Sequence, residues 1–227
     1  MEQITPGSLY IVSTPIGNLG DITFRAIHIL RSVSIIAAED TRTSKILLNH
    51  YKISTPMVPY HSYNQSRQTK YLINRLKNGD TIALISDAGT PGILDPAHML
   101  VGSCISENLR IIPIPGPSAF VAALVVSGLP THKFVFEGFL PTKKGRRTCL
   151  NKLASEERTI ILYESPHRLK RTVSELITTV GDRQCVMGRE ITKKFEEFYR
   201  GNLSELAQYL DKKIPKGEIV LLLAGKS

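Results

Sequence analysis

The sequence predicts an α/β protein of two domains, the first a mostly parallel sheet with helices and the second a mixed sheet with helices. Three observations carry this expectation. From Leu9 to Ile114, short apolar runs rich in β-branched residues alternate with helix-like segments at the spacing of right-handed βαβ units. Behind Pro115-Gly116-Pro117, where two prolines stiffen a turn, the texture changes, which sets the domains at 1–114 and 115–227. In the second half, Glu197–Gly201 comes only a short step after Thr192-Lys193-Lys194 and reads as an antiparallel addition.

Taken in order, Leu9–Ser13 is the first strand, followed by the loop Thr14–Gly20 and a helix from Ile22 capped by Asp21, with Ala26, Ile27 and Leu30 inward. Ser34–Ala38 is the second strand, and Asp40 caps a helix reaching Leu48. A third strand lies near Met57–Tyr60, then a helix over about Gln65–Lys77 that Asn78-Gly79 stops. Thr81–Ile85 is a buried strand, Ala97–Ser106 a helix ended by Asn108, and Arg110–Ile114 the fifth strand. Ser118 caps an apolar helix over Ala119–Val126. The second domain has strands at Lys133–Glu137, Thr159–Tyr163, Gln184–Gly188, Glu197–Gly201 and Glu218–Ala224. Its helices lie at about Arg168–Val180, closed by Gly181, and at Leu203–Asp211 behind Asn202 or Ser204. The stretch Lys143, Lys144, Arg146, Arg147 reads as a mobile basic loop.

With 227 residues, 42% of them hydrophobic, the chain can bury a sizeable core. No apolar run reaches the length of a membrane span, and Met1–Pro6 lacks the character of a signal peptide, so the expected address is cytoplasmic, with no membrane partner. Cys104, Cys149 and Cys185 are few and scattered, and the histidines form no H-x-x-x-H pair, so neither disulfides nor a metal is expected. The net charge of +9 is uneven: residues 1–114 carry 10 Lys/Arg against 8 Asp/Glu, and residues 115–227 carry 19 against 12. Such a surplus favours a polyanionic partner, nucleic acid above membrane.

Several signatures are absent. Gly225-Lys226-Ser227 lacks the upstream glycine and following helix of a phosphate loop; Pro15 stands where a dinucleotide fingerprint needs glycine; Gly116–Phe120 lacks the last glycine of a nucleophile elbow. What remains is a set of loops behind apolar strands, Pro15–Gly20, Asp87–Gly92, Pro115–Ser118 and Tyr163–Arg168, rich in Gly, Pro and small polar residues. Loops at the carboxyl ends of parallel strands are where open α/β sheets bind ligands.

The motif series Thr14–Thr23, Ala38–Arg42, Ser86–Pro91, Pro113–Ser118, Glu137–Pro141, Tyr163–Arg168 and Arg189–Glu197 resembles that of the ribosomal RNA small-subunit methyltransferase I branch of the tetrapyrrole methylase superfamily. The likeness runs in order from residue 9 to about 225. It implies the two-domain class III methyltransferase fold, with S-adenosylmethionine in a cleft between the domains, and a homodimer. The implied activity is 2′-O-methylation of a cytidine ribose in the decoding region of small-subunit ribosomal RNA, free or in the assembled 30S subunit. It further implies cofactor contacts at Pro15, Ile16, Asp87, Gly89, Thr90, Pro91, Ser118, Ala119 and Tyr163, and substrate contacts at Asn18, Arg42, Arg168, Lys193 and Lys194. Family members often continue beyond the position of Ser227 as a small helical segment, which bears on RNA contacts made there. Glu39, Asp40 and Glu190 are candidates for a general base, none of them singled out. Two alternatives stay open at this point: a methyltransferase for a tetrapyrrole or other small molecule, and a non-catalytic RNA-binding protein on the same fold.

Overall fold

In a computed structural model, which describes residues 4–213 and 215–226, the chain divides into two compact units, Met1–Ser118 and Ala119–Ser227. The first is a sheet of five parallel strands: β1 (Ser8–Val12), β2 (Ile35–Ala38), β3 (Met57–Pro59), β4 (Ile82–Ile85) and β5 (Arg110–Ile114), in the order β3-β2-β4-β1-β5. Helices α1 (Phe24–Ser32), α2 (Thr41–His50), α3 (Gln65–Lys77) and α4 (His98–Ser106) connect them.

Alternation along each strand divides its side chains between two apolar layers. Tyr10, Val12, Ile36, Ala83 and Ile85 face Ala26, Ile29 and Leu30 of α1 and Leu47 and Leu48 of α2. Leu9, Ile35, Ala37, Ile82 and Leu84 face Leu72 and Leu76 of α3 and Leu100 and Cys104 of α4. Helices on both faces explain why β2 and β4 are buried at every residue and read as continuous apolar runs. Because every pair is parallel, the carboxyl ends of all five strands share one edge.

The second unit is a mixed sheet in the order β6-β7-β10-β8-β9, formed by β6 (Phe134–Phe139), β7 (Thr159–Glu164), β8 (Gln184–Arg189), β9 (Glu197–Asn202) and β10 (Ile219–Leu223). Only β6 and β7 pair in parallel, and β9 joins β8 antiparallel, as its spacing predicts. Helices α6 (Arg146–Ala154), α7 (Pro166–Val180) and α8 (Leu203–Lys212) cover one face through Leu150, Leu153, Val173, Leu176, Leu206 and Leu210. Helix α5 (Ala119–Val125) packs against β10.

Two local expectations are corrected. Helix α1 begins at Phe24, not Ile22: the Thr23 hydroxyl accepts from the Ala26 N–H at 3.1 Å, and Leu19–Asp21 forms a separate 3-10 turn. Ile22 is extended and nearly buried, so its packing moves the start downstream. The stretch Lys143–Arg147 is not one mobile loop. Arg146 is 5% exposed and opens α6, donating to Glu175 and Thr172 at 2.7 Å each and to the Pro141 carbonyl at 3.0 Å. A guanidinium with this many aligned acceptors overcomes the cost of burial that ordinarily keeps arginine on the surface.

Candidate functional site

The loops behind β1, β4 and β5 are locked to one another. Thr14 and Gly89 exchange backbone hydrogen bonds at 2.8 and 3.1 Å, an isolated antiparallel bridge across the sheet edge. The Thr14 hydroxyl donates to the Ser86 carbonyl at 3.1 Å, Ser13 and Thr90 pair through their hydroxyls at 2.8 Å, and Thr90 reaches the Pro117 carbonyl at 3.2 Å. Glycine is needed twice. Gly89 has φ +84°, a conformation that disfavours a side chain, and a Cβ on Gly116 would lie 2.8 Å from that of Ser13.

Of the residues expected on this edge, Pro15, Ile16, Gly89 and Pro91 are buried, Thr90 and Ser118 are half-buried, and Asp87 is exposed. Asn18 spends its Oδ1 on the Gly20 N–H at 3.0 Å, capping the 3-10 turn.

Carboxylates collect beside these loops. The Asp87 Oδ1 accepts from the Asp40 N–H at 3.0 Å, and the Asp87 N–H is 3.4 Å from Glu39 Oε2. Burial raises the pKa of Glu39 and pushes Asp95 up to about 6, with Glu39 and Asp87 adding repulsion at Asp95, and partial desolvation of its carboxyl raises that of Asp87, although the residue as a whole is exposed. Asp40 differs: the Arg42 side chain pairs with it through Nε and Nη2, at 3.1 and 2.6 Å, and holds it at about 2. Asp95 is a residue the sequence reading missed; its one signal is an acid between Leu94 and Pro96, inside the same Gly- and Pro-rich loop.

In the second unit, the Tyr163 hydroxyl accepts the Phe120 N–H at 3.2 Å, joining the end of β7 to the first turn of α5 beside Ala119. Glu164, next in the chain, is buried and accepts from Arg168 Nε at 2.6 Å, Thr172 Oγ1 at 2.6 Å and the Ser165 N–H at 2.8 Å. Arg168 is thus first the partner of a buried carboxylate. Lys193 bonds Glu190 at 3.0 Å and Glu218 at 3.1 Å, while Lys194 is exposed, its ammonium over the Phe195 ring. Glu190 also accepts the Glu218 N–H at 2.9 Å, the main reason that its pKa falls below the usual range. A base must be free to take a proton, so the geometry removes Glu190 and Asp40 from contention and leaves Glu39, with Asp95 added.

Among the described residues no group of three or more His, Cys, Asp or Glu side chains is arranged to hold a metal ion, and no helix is long and apolar enough to cross a membrane.

Residues 8–207 match the family model for tetrapyrrole (corrin/porphyrin) methylases. The chain belongs to this methylase family. Within it, the protein is 52% identical to the ribosomal RNA small subunit methyltransferase I of Synechocystis over 96% of this chain and 79% of that one. It is 46% identical to the Thermotoga maritima protein of the same name, over 97% and 99% of the two chains. The methylase fold is seen as well in a solved cobalt precorrin-4 methyltransferase, TM-score 0.72 at 18% identity over 98% of each chain. A diphthine synthase shares it at TM-score 0.73 and 14% identity, over 96% of this chain and 89% of that one. The tetrapyrrole-methylase fold class drawn from the motif series is thus confirmed, as is the resemblance to the methyltransferase I branch.

Proposed function

We propose that this methylase transfers a methyl group from S-adenosylmethionine to the ribose 2′-hydroxyl of a cytidine in the decoding region of small-subunit ribosomal RNA. The observation that carries the ribosomal substrate is 44–52% identity over nearly the whole chain to proteins named ribosomal RNA small subunit methyltransferase I. The basic second half of the chain, 19 Lys/Arg against 12 Asp/Glu, supports a polyanionic substrate such as RNA.

The residues of the strand edge fit the cofactor. Its sulfonium and ammonium are cationic, and Glu39, Asp87 and Asp95 supply anionic groups whose raised pKa values a neighbouring cation would relieve. A uroporphyrin-III C-methyltransferase of this fold, TM-score 0.67 and 16% identity, has been solved with S-adenosylhomocysteine bound. The residues assigned to the cofactor are Pro15, Ile16, Asp87, Gly89, Thr90, Pro91 and Ser118 of the first unit and Ala119 and Tyr163 of the second.

When bound, the cofactor supplies an electrophilic methyl for in-line displacement, and no covalent enzyme intermediate is required. The chain's part is position and electrostatics. The Thr14–Gly89 bridge and the Ser13–Thr90–Pro117 chain of hydrogen bonds keep the strand-end loops rigid. Glu39, with its pKa raised by burial and not committed to a cation, is the group we assign to take up the ribose hydroxyl proton. Asn18, Arg42, Arg168, Lys193 and Lys194 are assigned to the RNA. The protein is proposed to act as a cytoplasmic homodimer.

The test is a map of ribose methylation in small-subunit RNA from cells with and without the protein, with purified protein then added back to the unmethylated 30S subunits. Loss of one 2′-O-methylcytidine and its restoration are expected; an unchanged map overturns the proposal.

A further inference from the structure

Strand β6 carries an irregularity with a chemical consequence. Phe136 pairs with Ile161, but the next partners are Gly138 with Leu162 and Phe139 with Tyr163, so β6 holds one residue more than β7 over this stretch. In a regular strand, Phe136 and Phe139 would face opposite sides; the bulge puts both on the side of Tyr163. Their ring centroids lie 5.2 and 5.7 Å from that of Tyr163, with interplanar angles of 73° and 69°. Phe120 stacks on Phe136 at 4.6 Å. Phe139 is therefore braced from behind, yet remains 54% exposed.

The chain then buries Leu140 and turns through Pro141–Gly145, where Gly145 has φ +84°, into the anchored Arg146. Arg146 ties this turn to Thr172, whose hydroxyl donates to Glu164, the neighbour of Tyr163. Ring and turn thus hang on one buried network. Around the anchor, Lys143, Lys144 and Arg147 are exposed, and among the described residues none of the three forms an ion pair.

We infer that Phe139 is a stacking platform for an unpaired base of single-stranded RNA, whose phosphates are held by Lys143, Lys144 and Arg147. A braced aromatic face beside a cationic turn matches what unpaired nucleic acid offers, bases to stack and phosphates to neutralise. This rests on the proposed RNA methyltransferase activity and adds a binding element to it.

The test uses the full chain and a cytidine decanucleotide, with an abasic strand of the same length as its control. Stacking contributes about 1–3 kcal/mol per base, so Phe139→Ala and Phe139→Leu should each weaken binding of the decanucleotide by roughly 5- to 150-fold. Phe139→Trp should retain it. The abasic strand should bind all four proteins alike, S-adenosylmethionine affinity by calorimetry should not change, and the slope of log K against log salt should be kept. The triple variant Lys143→Gln, Lys144→Gln, Arg147→Gln should flatten that slope by about 2, at ~0.7 per phosphate on single strands.

Unchanged decanucleotide affinity in Phe139→Ala overturns the inference, as does a loss equally large on the abasic strand. A loss of cofactor affinity overturns it too, since Phe139 would then belong to the cofactor. The wild-type protein's activity on 30S subunits is read in parallel: if it methylates them while Phe139→Ala binds RNA normally, only the inference falls; if it does not, the proposed function falls first.

Discussion

The Asp40 backbone N–H donates to the Asp87 carboxylate at 3.0 Å, fastening the start of α2 to the loop behind β4. Asp87 is thereby fixed in place while its second oxygen stays available to a cation. In Asp87→Ala, loss of a charged hydrogen-bond partner of about 1.5–3 kcal/mol should weaken S-adenosylmethionine binding roughly 10- to 150-fold. Calorimetry measures this; an affinity within twofold of wild type would take Asp87 out of the proposed cofactor site.

Asp95 makes stability depend on pH in a definite direction. Its pKa is raised from an ordinary 3.8 to about 6 in the folded protein, chiefly by burial, so folding favours the uncharged form. The stability this contributes is fully present below about pH 4 and is lost as the pH rises through about 6. Asp95→Asn should therefore melt at a higher temperature than wild type at pH 7.5, and the two should converge near pH 4. Melting curves at the two pH values check it, and a constant offset between the proteins would contradict it.

Gly116 leaves no room for a methyl group. A Cβ there would meet Ser13 Cβ at 2.8 Å and the Ser13 carbonyl oxygen at 3.4 Å, at the ends of β5 and β1. Gly116→Ala should cost about 1–3 kcal/mol in urea unfolding, as overpacking does, and Ser13→Gly should recover part of it. The absence of any coupling between the two substitutions would place the strain elsewhere.

Arg146 and Arg147 are neighbours with opposite fates. Removing Arg146 takes a donor from the Thr172 hydroxyl, which keeps Glu164, and leaves Glu175 with only the exposed Arg171, so Arg146→Met should cost about 3 kcal/mol. Arg147→Gln should stay within about 0.5 kcal/mol, as exposed substitutions do. Urea midpoints of the two variants compare them directly.

What the sequence could show follows from where each signal is written. Helix α3 spans Gln65–Lys77 and β5 Arg110–Ile114, the bounds that periodicity and the stops at Asn78-Gly79 and Pro115 predict. The Asp40 cap was legible because an N-cap depends on residues next to it. Arg146 was not, since the acceptors that make its burial tolerable lie on α7, nearly thirty residues away. Asp95 shows the same limit, because its proton affinity is set first by burial, which depends on the whole fold, and then by Glu39 from the loop behind β2. The bulge in β6 is invisible for a different reason: alternation in Phe-Val-Phe-Glu-Gly-Phe gives no sign of which residue is extra until β7 lies alongside.

The order β3-β2-β4-β1-β5 also bears on how the protein is made. The first strand to leave the ribosome sits inside its sheet, between the central β4 and the edge strand β5, and Leu9 must wait for Ile82 on one side and Ile111 on the other. At roughly 5–20 residues per second, that is on the order of 4–15 seconds with an apolar segment unpaired. Nascent chains stalled before β4 should therefore engage chaperones through Ser8–Val12, and those extended past Ile114 should release them once the first unit closes.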